Sequence, residues 1–118
     1  MLDQFSRNVY RDSSRAFAQD ALALVLAQEL VAIAQDRILP EAQRVFAYMP
    51  YMHSESVLVH TQAVALFTQL GIQDNLNFEL RHKAITDRFG RYPHRNAILG
   101  RTSRAEELAF LNEAGSSF

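Results

Sequence analysis

Nine residues, Arg88-Phe89-Gly90-Arg91-Tyr92-Pro93-His94-Arg95-Asn96, bring three arginines, a histidine and an asparagine to one corner broken by glycine and proline. Arginine forks match carboxylates and phosphates two bonds at a time, and histidine exchanges a proton near neutral pH. With Arg101 just beyond, and backbone N–H groups at the start of the following helix, the segment has the donor set of an anion pocket. Gly90 and Pro93 also leave backbone groups that need partners, which is a purely structural use for Arg91 and Asn96. The sequence leaves both uses open.

A second polar turn, Met52-His53-Ser54-Glu55, follows Pro50. Ser54 reads as a helix N-cap, with Glu55 suited to the positive helix start. The sharper reading makes His53 and Glu55 an acid–base pair facing the arginine corner, with His94 as a further proton carrier. His82 lies on an apolar helix face and reads as a hydrogen-bonded core histidine, and His60 sits among polar neighbours and reads as solvated. Other chemistries lack their signatures. There is no cysteine, no HExxH or defensible zinc spacing, no G-x-S-x-G elbow, no P-loop and no dinucleotide fingerprint. No metal and no cofactor is therefore expected.

The 118 residues suit one domain, expected over residues 1–118, and their net charge of −1 with 48% apolar residues is a globular composition. The balance hides an asymmetry. Of twelve basic residues eleven are arginine, and seven basic residues against the single acid Asp87 fall between Arg81 and Arg104. Ala16 to Glu79 holds seven acids against Arg37 and Arg44. An internal lattice between an acidic and a basic half is the structural reading of that pattern. RNA binding by the basic segment, with Phe89 and Tyr92 stacking, is disfavoured by the acidic remainder. Lack of a long apolar run or a signal-peptide layout gives a cytoplasmic expectation with no membrane partner.

The elements that must position these residues all read as helices. Asp12-Ser13-Ser14 can cap a helix from about Arg15 to Ala34, with Leu22, Leu26, Leu30 and Ile33 as the expected core stripe. Pro40 suits the first turn of a second helix that Pro50 ends, with Val45, Phe46 and Met49 inward. A third helix from about Glu55 to Leu70 buries Val59, Ala63, Leu66 and Leu70 and closes at Gly71. A fourth, about Asn75 to Phe89, buries Phe78, His82, Ile85 and Phe89 and closes at Gly90. A short turn covers His94 to Leu99, and a capping box at Ser103 to Glu106 opens a last helix to Glu113. The fold class is all-α, an antiparallel array of five to six helices. An internal echo, Asp3-x-Phe5-x-Arg7 against Asp87-x-Phe89-x-Arg91, suggests two similar corners.

The strings DQFSRNVYRDSSRAFAQDALAL, FAYMPYMHSES and RFGRYPHRNAILGR, in this order, resemble the bacterial family called domain of unknown function 924. The resemblance implies a tetratricopeptide-like superhelical arrangement and brings no established activity. Its motif residues fall on Asp3, Gln4, Phe5, Arg7, Asn8, Tyr10 and Arg11, on Tyr48, Pro50, His53, Ser54 and Glu55, and on His82. The last group is Arg88 to Arg91, Pro93 to Asn96, Gly100 and Arg101. Ser6 stands where family members usually have proline. Typical members carry about sixty residues before the first string, and a stacked array without them exposes their contact surface, which implies a homodimer or larger assembly.

Taken together, these readings lead with a pocket for an anionic small ligand or an acidic peptide. Arg91 and Arg95 would grip it, with Arg7, Arg88 and Arg101 around them. Asn8 and Asn96 would orient it, and His53, Glu55 or His94 would move a proton. The enzymatic alternative is a small hydrolase or transferase acting on a phosphorylated metabolite through His53 and Glu55. A purely structural or interaction module is the third reading.

Overall fold

The computed structural model describes residues 20–116. Arg7, Asn8, the first member of the echo and the expected helix start at Arg15 lie outside these residues. Among the described residues the protein is an all-α bundle of five helices: α1 (Asp20–Ala32), α2 (Glu41–Met52), α3 (Val57–Leu70), α4 (Gln73–Phe89) and α5 (Ala105–Leu111). Two short 3₁₀ turns, Gln35–Ile38 and Pro93–Arg95, sit in the connections. α1 packs on α2, α2 on α3 and α3 on α4, while α5 packs on the second 3₁₀ turn.

Two glycines end the helices they were expected to end. Gly71 (φ 80°) closes α3 and Gly90 (φ 74°) closes α4, both in the left-handed conformation that a Cβ would penalise. Ala34 adopts φ 60° without that freedom, at the turn between α1 and the first 3₁₀ segment. The main core gathers Ala27 from α1, Tyr48, Tyr51 and Met52 from α2, and Ala63, Leu66 and Phe67 from α3. A smaller cluster of Ile85, Phe89, Tyr92 and Phe110 joins α4 to α5. Tyr48 meets Phe67 edge-on and gives its hydroxyl proton to buried Asp36, so the first 3₁₀ turn is tied to α2.

Several expectations are corrected. α1 turns Ala23 and Ala27 inward, while its Leu22, Val25 and Leu26, and Ile33 just past its end, are 50–58% exposed. The helix is apolar almost all round, so periodicity cannot choose a face; the small alanines let α1 approach α2 closely, which the leucines would prevent. Phe46 and Phe78 are likewise exposed. Pro50 lies inside α2 rather than ending it, buried, and the helix runs on to Met52 with His53 N–H bonded to the Met49 carbonyl at 3.0 Å. Its ring removes the donor that would bond the Phe46 carbonyl, a loss confined to the last turn because only two helical residues follow it. The cap of α3 is Ser56, whose hydroxyl accepts from Val59 N–H, and Ser54 instead accepts from Ser56 N–H. α5 starts one residue late, with the Glu107 carboxylate accepting from Arg104 N–H at 2.8 Å.

Candidate functional site

The two polar segments singled out by sequence do meet. The 53–56 turn between α2 and α3 faces the 90–104 corner between α4 and α5, and Glu55 is the hinge of the contact. Its carboxylate accepts both arms of Arg101 at 3.0 Å each and the Tyr92 N–H at 2.6 Å. Burial pushes the Glu55 carboxyl up, but Arg101, the Tyr92 N–H and the nearby Arg95 charge outweigh it and hold the group below the ordinary glutamate value. A carboxylate so held is a fixed anion and a poor proton acceptor.

Arg101 continues inward, donating to the Asn96 side-chain oxygen at 3.0 Å and to the Tyr92 carbonyl at 3.2 Å. Asn96, buried, donates in turn to the Ser103 hydroxyl. Arg91 grips Glu107 with two bonds of 2.8 and 2.7 Å and reaches the Thr102 carbonyl at 2.8 Å. Glu107 is fully buried, and chiefly through Arg91 its carboxyl is held far below the usual carboxylate range. Arg104, which sequence reasoning did not single out, bonds the Phe89 carbonyl at 2.8 Å and so finishes the end of α4. Arg88 lies over the rings of Phe89 and Phe110, at 4.6 and 5.6 Å from their centroids, on an exposed side of the corner.

Arg95 is 4% exposed. Its guanidinium lies 4.7 Å from the centroid of the Tyr92 ring and donates to the His53 carbonyl at 3.0 Å. The carboxylates of Asp20 and Glu55 stand at 3.9 and 3.8 Å. The forks of Arg91 and Arg101 therefore already hold carboxylates of the chain itself, and Arg95 sits in an acidic surround. The internal lattice accounts for much of the arginine-rich corner.

Tyr92, buried, is the centre that sequence reasoning missed. The rings of His60, His82 and His94 lie 6.0, 5.7 and 5.9 Å from it. His82 is the core histidine expected, with Nδ1 donating to the Phe78 carbonyl at 2.6 Å, and burial depresses it to about 3. His60 is a correction: far from solvated, it is fully buried between Glu79, Tyr92 and the Ser54 carbonyl. A signal for it existed, because His60 precedes core residues Ala63 and Phe67 by three and seven positions. Glu79 likewise precedes His82, Thr86 and Phe89 by three, seven and ten.

The model of a bacterial protein family of unknown function, DUF924, matches residues 1–115. The chain belongs to this family. The solved structure of the protein of unknown function ATU0120 from Agrobacterium tumefaciens is 39% identical and superposes with a TM-score of 0.89. That alignment covers 96% of this DUF924 chain and 64% of the other, so this chain spans less than two thirds of that relative's length. No curated protein matches the sequence. Among the described residues of this DUF924 protein no group of histidines and carboxylates is arranged to hold a metal ion, and no helix is long and apolar enough to cross a membrane.

Proposed function

We propose that this protein works as a helical interaction module that pairs with a second copy through the outer face of α1. The observation that carries the reading is that Leu22, Leu26 and Ile33, three of the four stripe residues expected in the core, are turned to solvent instead. Leu22, Leu26, Glu29 and Ile33 are spaced 4-3-4, the seam period of paired helices, with Val25 beside them. Between α1 and α2 a hollow of about 180 Å³, lined by Leu26, Leu30, Leu39, Phe46 and Pro50 among others, continues the apolar surface. Two copies of this surface supply the apolar centre of an interface, which needs roughly 1,000 Å² in total to be specific. An antiparallel arrangement keeps the two Glu29 carboxylates apart. Consecutive pairing of α1 to α4 fits a tetratricopeptide-like stack, in which adding a further helix layer is the natural mode of growth. Sedimentation equilibrium tests this: wild type sediments as a dimer, and Leu26→Glu as a monomer with unchanged helical circular dichroism. A wild type that stays monomeric at all accessible concentrations sinks the reading.

A second reading keeps the anionic ligand or acidic peptide and narrows its place to Arg95 and His94. It is favoured by the gathering of three histidine rings and Arg95 around Tyr92. Thermal-shift measurements with phosphate, sulfate and dicarboxylates on wild type and Arg95→Lys decide it. Stabilisation of the wild type alone supports the pocket. The hydrolase or transferase alternative requires turnover that Glu55→Gln abolishes, and a carboxylate fixed by Arg101 argues against that role.

A further inference from the structure

His60 on α3 and Glu79 on α4 form a fully buried pair whose mutual contact neither reading above uses. Nε2 of His60 stands 2.6 Å from the Ser54 carbonyl and 2.7 Å from the Tyr92 hydroxyl. A peptide carbonyl only accepts, so Nε2 carries a proton. The Tyr92 hydroxyl gives its own proton to the Met52 carbonyl, which leaves its oxygen able to share the Nε2–H. On the other side, Nδ1 lies 2.7 Å from Oε2 of Glu79. One proton must occupy that line, because otherwise a ring lone pair would face a carboxylate at hydrogen-bond distance.

Where that proton rests is decided by the other carboxyl oxygen. Glu79 Oε1 is buried and has no hydrogen-bond partner among the described residues. A carboxylate would leave part of a full charge bare in the interior, whereas a carboxylic acid leaves only a carbonyl oxygen, the cheaper deficit. We propose that Glu79 is held as a neutral carboxylic acid donating Oε2–H to Nδ1 of His60, and that this proton is a pH-sensitive latch joining α3, α4 and the Tyr92 corner. Without the proton, His60 and Glu79 repel, and the Ser54 and Tyr92 contacts that His60 holds on its far side loosen with them.

The surroundings agree. Burial raises the Glu79 carboxyl above its ordinary value; the His60 hydrogen bond and charge and the Lys83 charge pull the other way, and Asp87 adds to the rise. Lys83 is partly exposed and committed to Asp87 at 2.6 Å, so it does not neutralise Glu79 directly. His82, on the same helix, is kept uncharged by burial, and Arg95 across the corner is held by the His53 carbonyl. A raised folded-state value means that the stabilisation from the neutral acid is complete below the ordinary glutamate value, about 4.3, and is lost as pH rises through the folded-state value.

The test uses the whole chain. Carbon-13 and nitrogen-15 spectra of the wild type at about pH 5.5, roughly one unit above an ordinary glutamate, should show Glu79 as the acid and His60 neutral with its proton on Nε2. Glu79→Gln, whose amide can donate to Nδ1 in place of the acid, should gain in melting temperature relative to wild type as pH rises. An ionised Glu79 beside a doubly protonated His60 at that pH overturns the proposal. So does a Glu79→Gln melting deficit that does not shrink with rising pH. If the variant fails to fold, the wild-type spectra decide the matter alone.

Discussion

Replacing Glu55 by glutamine separates a structural anion from a catalytic one. The wild-type carboxylate takes three bonds, two of 3.0 Å from Arg101 and one of 2.6 Å from Tyr92 N–H, and the side chain is 23% exposed. Hydrogen bonds to charged groups contribute about 1.5–3 kcal/mol each before partial solvation and non-additivity are allowed for. Glutamine keeps one acceptor oxygen and turns an N–H₂ toward a guanidinium, so a net loss of about 2 kcal/mol is reasonable. For a domain of this size that lowers the melting temperature by roughly 10 °C. The sign of the pH dependence follows from the direction of the Glu55 shift. Its folded-state value is depressed, so its stabilisation is complete above about 4.3 and is lost as pH falls through the folded-state value. The deficit of Glu55→Gln should therefore be full at neutral pH and shrink in acid, as followed by circular dichroism melts across that range. A variant within about 2 °C of wild type at neutral pH, or a deficit unchanged in strong acid, would refute the assignment of Glu55 as the corner's structural anion.

Glu107→Gln should cost more than Glu55→Gln in the same melts, because Glu107 is fully buried and anchors both Arg91 and Arg104; an equal or smaller loss would count against a lattice centred there. Ala34→Gly should raise the melting temperature by about 3 °C, since relief of the φ 60° strain outweighs the added chain entropy by roughly 0.5 kcal/mol. Any fall in that temperature would argue against the strained turn.

Legibility from sequence divides along the length scale of the interaction. The ends of α3 and α4 were readable because Gly71 and Gly90 act within one helical turn. His82 was readable as core because its neighbours at helical spacing, Ile85 and Phe89, are buried with it. The face of α1 was not readable, because large apolar residues stand on both sides of it: Leu24 and Val31 pack against the core, while Leu22, Val25 and Leu26 face out. The 53–56 turn and the 90–104 corner were both singled out, but the pairing of Glu55 with Arg101 spans 46 residues of chain. Nothing local marks which of several arginines a carboxylate will hold.

By itself the sequence determined an all-helical chain, most helix boundaries, and the concentration of arginine, histidine and asparagine beyond Arg81. Those follow from backbone preferences and side-chain periods that act over a few residues. Only the tertiary structure decided that Arg91 and Arg101 hold Glu107 and Glu55, that Tyr92 gathers three histidine rings, and that Leu22 and Leu26 of α1 face outward. Each of these depends on which helices approach closely enough to exclude water, and that is settled by packing volume rather than by local pattern.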